Sequence, residues 1–400
     1  MSRSDPDRSS DGSEPSLLTR QMVMALLAVG LMFSGVFLAL PVAPKVVEAA
    51  SGRTSDAGLV TAVFSGFTVL TQLLMPRLLR SRLVRWAFVW SQLLIGVPAV
   101  VFMVAGDSVP ALLIATAVRG VGFGIASVLS ALVVTSMAPG GDRGRAFGYY
   151  GVAATVPGVF GSALGLFLEA EFGTSTAFAV VGLAGVLAAT AASGGGPVAV
   201  APDVPGARAL AALRLAGVRN PVLVGVLITL TFGGVLSFAP LALAESGLGS
   251  ATIFFLLAGL ARAAARWASG RGIDRLGPHR FLAPGAVLVV VGAFLLATGD
   301  SPATVTTSAV FYGAGYGLVQ NASFLGMMDR AGPTNAGVVS TLWNLSIDGG
   351  VAIGGLLLGA VAAAGSIDLV FGLLPIIAGA AIPIAMWAAR AASPEPRQIV

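Results

Sequence analysis

The sequence contains no cysteine, a single histidine and few charged residues. The absence of cysteine excludes disulfide bonds, thiolate metal sites and cysteine nucleophiles. The histidine, His279, falls in a polar segment, where we expect a solvated loop residue. Without cysteine or histidine in the apolar segments, neither a zinc site nor a nucleophile triad can be assembled. We therefore predict no metal, no cofactor and no enzymatic activity.

Charge is scarce because water is not the main solvent of this chain. Charged residues make up 10% of the 400 residues and hydrophobic residues 56%, and the mean hydropathy is +0.91. A soluble domain carries about 25% charged residues, and a membrane-spanning helix needs about 20 apolar residues. The sequence therefore predicts an all-α membrane protein in a lipid bilayer, with twelve spans at residues 21–43, 57–76, 84–104, 109–135, 146–168, 174–192, 220–243, 249–268, 281–299, 303–327, 336–363 and 367–389.

The basic residues are distributed unevenly between the two sides of the predicted spans. If the N-terminus is cytoplasmic, 20 of the 23 basic residues, including Arg262 and Arg266, fall in inner segments. Only Lys45 and Arg53 fall outside, and Arg119 lies within a span. This asymmetry follows the positive-inside rule, so we predict cytoplasmic termini and no nucleic-acid partner despite the net charge of +5. The Ala-, Gly- and Arg-rich composition is typical of a GC-rich bacterium, and we expect the bacterial inner (plasma) membrane.

A glycine pattern is repeated 193 residues along the chain. Residues 119–132 recur as 312–325, and three alternating glycines are shared between the two segments. The predicted organisation is a tail (1–19), a six-helix bundle (20–192), a cytoplasmic linker (193–219), a second six-helix bundle (220–391) and a tail (392–400). Because each half has an even number of spans, the halves share one orientation and are related by an axis along the membrane normal.

Two charged residues lie deep within predicted spans. Arg119 is in the fourth span, and Asp348 is the one carboxylate placed near the middle of a span. A charge at that depth costs at least about 2.5–3.5 kcal/mol, which makes it a candidate for function. We predict that Asp348 binds the coupled proton, and that Arg119 tunes that protonation or binds substrate. The alternatives are an arginine bonded to helix carbonyls and an acid that only joins helices.

The segment after the eighth span has the spacing G-x-x-x-D-R-x-G-x-x-R, formed by Gly270, Asp274, Arg275, Gly277 and Arg280. With twelve spans in two halves and an arginine followed by glycines in the fourth span, this pattern resembles the major facilitator superfamily over residues 20–390. The resemblance implies that the segment is a cytoplasmic loop acting as a conformational latch. The alternative is a solvated basic loop that only sets topology.

The same resemblance implies two six-helix bundles around a central cavity that opens to each side in turn. It places spans 1, 4, 7 and 10 at the cavity. Together with the polar positions of span 11, the candidate lining residues are Phe33, Phe37, Arg119, Phe123, Tyr312, Tyr316, Gln320, Asn344 and Asp348.

The function expected from the sequence is proton-coupled efflux of an apolar or amphipathic small molecule by a monomeric antiporter. The fifth span contains Pro157-Gly158 in a glycine-rich helix, which resembles the antiporter motif of the family, although Val156 replaces its preceding glycine. Two alternatives stay open. One is an uptake symporter or facilitator for a small organic anion held by Arg119, and the other is a membrane scaffold or receptor that does not transport.

Overall fold

The computed structural model describes residues 18–79, 84–137, 143–194, 212–246, 250–331 and 336–390. These residues form helices and no strands. The helices are α1 (Arg20–Ala39), α2 (Val42–Ser51), α3 (Thr54–Leu79), α4 (Val84–Gly96), a 3-10 turn (Val97–Val100), α5 (Val101–Val104), α6 (Val109–Ser136), α7 (Arg143–Phe172), α8 (Thr174–Gly194), α9 (Ala216–Ser246), α10 (Ala251–Leu276), α11 (His279–Thr298), α12 (Pro302–Ala331), α13 (Ala336–Ala364) and α14 (Ile367–Arg390).

Eleven segments of the described chain are long and apolar enough to cross a membrane. The remaining predicted span, the tenth (303–327), corresponds to α12, which has 30 residues but carries several Thr, Ser, Tyr, Gln and Asn side chains. The prediction of an all-α membrane protein with two six-helix bundles is therefore confirmed.

Prolines interrupt two of the predicted spans. The first span is divided at Pro41 into α1 and α2, which extends it to Ser51. The third span contains a 3-10 turn at Pro98. Proline has no backbone N–H to donate to the preceding turn, so the regular helix cannot continue unchanged.

The 193-residue repeat is visible in the helix boundaries. Helices α6 and α12 begin at residues 109 and 302, α7 and α13 at 143 and 336, and α8 and α14 at 174 and 367. Each pair of starts differs by 193 residues. The last three helices of each half therefore share one register.

The repeated glycines bring helices into close contact at equivalent places. A Cβ atom at Gly120 would collide with the carbonyl of Phe64 on α3, and one at Gly313 would collide with the carbonyl of Ala258 on α10. Small residues let membrane helices approach at backbone distance. The glycine pattern thus serves helix packing in both halves.

The two halves meet tightly on the side away from the chain termini. Gly58 of α3 lies against Gly355 and Gly359 of α13, and a methyl group at Gly355 would be 2.7 Å from the Gly58 carbonyl oxygen. One turn further in, the Ser237 hydroxyl of α9 donates to Thr61 of α3 at 2.8 Å. We call these five residues the outer seal, after the orientation predicted from the charge pattern.

An ion pair lies on the same side of the molecule. The Lys45 ammonium of α2 pairs with the Glu169 carboxylate of α7. Both residues are predicted from the charge pattern to be outside. Their pairing places them on one face, opposite the start of α1 and the end of α14.

Candidate transport site

A cavity of about 600 Å³ lies between the two halves. Its walls come from α1, α3, α6 and α7 of the first half and from α9, α10, α12 and α13 of the second. Along α3 the lining begins at Phe64, beyond Thr61 of the outer seal, and along α13 it ends at Val351, before Gly355. The cavity therefore extends from the outer seal towards the face that carries the termini.

Much of the cavity wall is aromatic. The rings of Phe33, Phe37, Phe64 and Phe123 form a chain of contacts with centroid separations of 5.7–6.0 Å. On the other half, Phe232 packs on Tyr316 at 4.7 Å. Of the residues predicted to line the cavity, seven lie in its wall: Phe33, Phe37, Phe123, Tyr316, Gln320, Asn344 and Asp348.

Asp348 lies in the cavity wall and connects the two halves. Its Oδ2 accepts a hydrogen bond of 2.7 Å from Nε2 of Gln72, which is on α3 of the first half. Gln72 also donates to Ser127 at 3.3 Å, and its own Oε1 is buried without a partner in the described structure. Nothing in the sequence singles out Gln72, because 276 residues separate it from Asp348.

Arg119 is placed away from the cavity wall, in contrast with the prediction. It is 2% exposed. Its Nε donates to the carbonyl of Ile95 at 3.0 Å and its Nη2 to the carbonyl of Gly35 at 3.3 Å. Ile95 lies in the last turn of α4, where carbonyls lack helical partners. These contacts are those of an arginine that fastens α6 to α4 and α1.

Tyr312 is also outside the cavity wall. It is 1% exposed, and its hydroxyl forms a hydrogen bond of 2.8 Å with Thr231 of α9. It lies one helical turn from Tyr316 and therefore on a similar face of α12. Packing between α9 and α12 buries it there, which the spacing of the aromatic residues alone does not reveal.

Two arginines in the cavity wall correct the count of inner basic residues. Arg262 and Arg266 were assigned to an inner segment, but both lie within α10, which runs from Ala251 to Leu276, and both line the cavity. Removing them from the inner residues leaves 18, since 20 − 2 = 18. The sequence feature that could have identified them as lining residues is their spacing, because residues four apart share one face of a helix.

The Arg262 guanidinium is held between the two halves. Its Nη2 donates to the Gly158 carbonyl of α7, and its Cζ lies 5.9 Å from the ring centroid of Phe37. A methyl group at Gly158 would be 2.8 Å from Nη2, so the end of the Arg262 side chain would have to shift. Within the described residues, the Arg266 guanidinium has no hydrogen-bond partner, although the Arg266 carbonyl accepts from Ser269 and Asn321. Neither arginine has a carboxylate partner there.

The predicted latch segment is mostly helical rather than a loop. Gly270, Asp274 and Arg275 belong to α10, which ends at Leu276 and is capped by Gly277, and Arg280 lies in the first turn of α11. Gly277 has φ of 81°, a conformation that favours glycine over other residues. The Asp274 side chain lies outside the described structure, so the latch remains a prediction.

His279 is not the solvated loop residue expected from the sequence. It begins α11 and is 7% exposed, with its ring against Gly326 of α12. Glycine at that position leaves room for the imidazole. As for metals, the described residues contain no group of three or more His, Asp or Glu side chains that could hold an ion.

A cavity with aromatic and polar walls between two repeated helix bundles, closed on one side, is the architecture of a membrane transporter. The chain belongs to the Major Facilitator Superfamily, whose sequence profile matches residues 25–354, and it is therefore a secondary transporter. No curated protein sequence matches it.

Solved structures with the same fold are distant in sequence. A bacterial homologue of the human lysosomal transporter Spinster, in an inward-facing and unoccupied conformation, is 16% identical with a TM-score of 0.75, covering 95% of this chain and 98% of that one. An auto-inhibited POT family peptide transporter is 15% identical with a TM-score of 0.72, covering 95% and 99%. The human organic anion transporter MFSD10 is 16% identical with a TM-score of 0.62, covering 93% and 100%.

Proposed function

We propose that this protein is a proton-coupled transporter that moves an amphipathic small molecule through the central cavity by alternating access. The observation that carries the proposal is the hydrogen bond between Gln72 and Asp348. Asp348 is the one acid among the described lining residues, and its bond crosses between the halves that must move. Proton uptake at Asp348 therefore changes a contact on which the conformation depends.

The Gln72 amide is suited to both protonation states of Asp348. A carboxylate accepts from the amide N–H, and such a charge-assisted bond is stronger than a neutral one. A protonated Asp348 can instead donate to the Gln72 carbonyl, whose oxygen has no partner in the described structure. Protonation thus exchanges a strong bond between the halves for a weaker one, which links proton binding to rocking of the halves.

The cavity wall supports an amphipathic substrate. The aromatic chain around Phe33 and Phe123 offers an apolar surface, while Gln320, Asn344 and Asp348 offer polar groups in the same space. A scaffold that does not transport would need no such cavity. In the predicted orientation, with cytoplasmic termini in a bacterial plasma membrane, this conformation faces inward.

Two coupling schemes are compatible with a proton site at Asp348. Proton-driven efflux requires that substrate and proton compete, so that one leaves when the other binds. Symport of an organic anion, the second candidate, requires that they bind together. The specific observation that favours symport is the pair of arginines, Arg262 and Arg266, in the wall of the same cavity.

Transport by purified protein in proteoliposomes tests the proposal. Fluorescent amphipaths of anionic, neutral and cationic character are offered with and without an imposed pH gradient. We expect the gradient to drive accumulation of at least one class in the wild type. Asp348→Asn should abolish that accumulation while leaving exchange without a gradient. The matched control is Asp368→Asn, an exposed acid in the first turn of α14.

Gradient-driven accumulation by Asp348→Asn equal to that of the wild type would show that Asp348 is structural. Loss of both accumulation and exchange in Asp368→Asn would show that the assay reports folding instead. A thermal unfolding curve for each variant separates these outcomes.

A further inference from the structure

We propose that Arg262 and Arg266 bind the acidic group of an amphipathic organic anion, and that this anion and the coupled proton occupy the cavity together. The inference deepens the proposed function and rests on it, because it assigns the substrate class and the coupling scheme to the same cavity. It moves the anion site from Arg119, where the sequence placed it, to α10.

Placing two arginines within a membrane-spanning helix costs free energy. Both lie within a membrane-spanning helix and carry no carboxylate partner in the described structure. Charges within a span are rare and face the interior of the bundle or a water-filled cavity, where they mark substrate pathways. Arg119 satisfies its guanidinium with helix carbonyls, but Arg266 has no such bonds. A ligand with acceptor oxygens would supply them.

The two guanidinium groups face the same space. Arg262 and Arg266 are four residues apart on α10, so both guanidinium groups project from one face into the cavity. Gly158 and Phe37 hold Arg262 in place. A guanidinium presents five donors in a planar fork, and the Gly158 carbonyl occupies one nitrogen. The remaining donors suit the paired oxygens of a carboxylate, sulfonate or phosphate.

The apolar part of such a ligand has a surface beside the arginines. Phe37 lies under Arg262 and stacks on Phe33 at a centroid separation of 6.0 Å. Tyr316 and Phe232 form a second aromatic surface on the other half. A molecule with a ring system and one acidic group therefore fits both the aromatic surfaces and the arginines of the wall.

The described lining of the cavity carries a net positive charge. Among the described lining residues, two arginines and one carboxylate give +2 − 1 = +1. The titratable and charged groups that share this space with Asp348 are Arg262 and Arg266 on α10, Tyr316 on α12 and Tyr150 on α7, while α3 contributes the neutral Gln72. Tyr316 lies in the same cavity wall as Asp348 and both arginines.

The sign of the coupling follows from this arrangement. An ionised Asp348 repels a bound anion and competes with it for the arginines. Proton uptake removes that repulsion, so anion and proton favour each other's binding. For charges about 10 Å apart at an effective dielectric constant of about 20, the affinity of the anion should rise about tenfold on protonation. Ligands that favour each other's binding are carried in the same direction.

The experiment measures binding to the full-length purified protein by thermal stabilisation. Three probes share one ring system: naphthalene-2-sulfonate, naphthalene-2-sulfonamide and 2-naphthylmethylammonium. The sulfonate stays ionised between acidic and slightly alkaline pH, so any pH dependence belongs to the protein. We expect saturable stabilisation by the sulfonate, about tenfold tighter at acidic pH, and little by the neutral and cationic probes.

The variants assign the effect to residues. Arg266→Gln should weaken sulfonate binding, and Arg266→Lys should restore part of it because the charge returns without the fork. Arg214→Gln, an exposed arginine at the face that carries the termini, is the matched control and should bind as the wild type does. Asp348→Asn should bind the sulfonate tightly at both pH values.

The proposal is overturned if the sulfonate stabilises the protein no better than its neutral or cationic analogue, or if Arg266→Gln binds it as tightly as the wild type. Sulfonate binding that weakens at acidic pH would overturn the symport scheme. These outcomes concern binding alone. Failure of the proposed function appears separately, as gradient-driven transport that survives Asp348→Asn.

Discussion

Replacing Gly355 with alanine should push the outer seal apart and shift the protein towards its outward-open form. The added methyl group would lie 2.7 Å from the carbonyl oxygen of Gly58 and 2.9 Å from the backbone nitrogen of Ala62. Both are backbone atoms of α3, so no side-chain rotation can relieve the contact. Helices α3 and α13 must separate instead.

The magnitude follows from the cost of overpacking. An extra methyl group in a well-packed contact costs about 1–3 kcal/mol, and this cost applies only while the seal is closed. The gain in helix propensity from glycine to alanine, about 1 kcal/mol, is present in both conformations and cancels. The ratio of outward-open to inward-open protein should therefore rise about 5- to 150-fold.

Labelling of a single cysteine measures this ratio. The chain has no native cysteine, so Thr61→Cys introduces a unique thiol in the outer seal, where the native side chain is 3% exposed. A membrane-impermeant thiol reagent is applied from the outer side. We expect faster labelling in the Gly355→Ala background.

The control is Gly372→Ala on α14, where a methyl group would meet nothing within 4 Å. It gains the same helix propensity without the collision and should label at the rate of the parent. Equal labelling of the Gly355 and Gly372 variants would refute the argument, because the contact between Gly58 and Gly355 would then not govern opening.

Three further predictions concern other parts of the chain. Arg119→Gln removes two charge-assisted hydrogen bonds worth about 1.5–3 kcal/mol each, so it should lower the unfolding temperature. If the pH dependence of transport is unchanged in this variant, Arg119 is structural. If the pH dependence is lost, the result supports the predicted role of Arg119 in proton coupling. Gly158→Ala displaces the Arg262 guanidinium from its carbonyl and should weaken sulfonate binding by about tenfold or more, as a titration would show. Glu169→Cys should react with an impermeant reagent from outside and Arg214→Cys from inside; the reverse would overturn the predicted topology.

The repeat explains why so much of the fold could be predicted from the sequence. Gly120 and Gly313 occupy equivalent places because each lets one helix lie against the backbone of another. A residue required for such contact at one position is required at the same position in the other half. The apolar runs therefore predicted the helices, and the spacing of 193 residues showed that the two halves are related.

The polar site could be predicted only in part, for a physical reason. Asp348 stands out because a carboxylate in an apolar run is costly, but its partner Gln72 is neutral and is brought to it only by tertiary packing. Arg262 and Arg266 were missed because charge counting assigns arginines near a span end to a loop. Both in fact lie within the predicted eighth span, 249–268, and within α10.

The charge of the cavity also bears on leakage of protons. In the empty state the described lining carries a net charge of +1, from two arginines and the ionised Asp348. With a monoanion and a proton both bound, the net charge is again +1, because the anion replaces the negative charge that Asp348 loses. With a proton alone the cavity would carry +2. Enclosing charges that lack partners in a low-dielectric interior costs several kcal/mol per ion, so the proton-only state is the least able to close. On the proposed assignments, the two arginines therefore do more than bind the substrate: they make return of the proton depend on the anion that accompanies it.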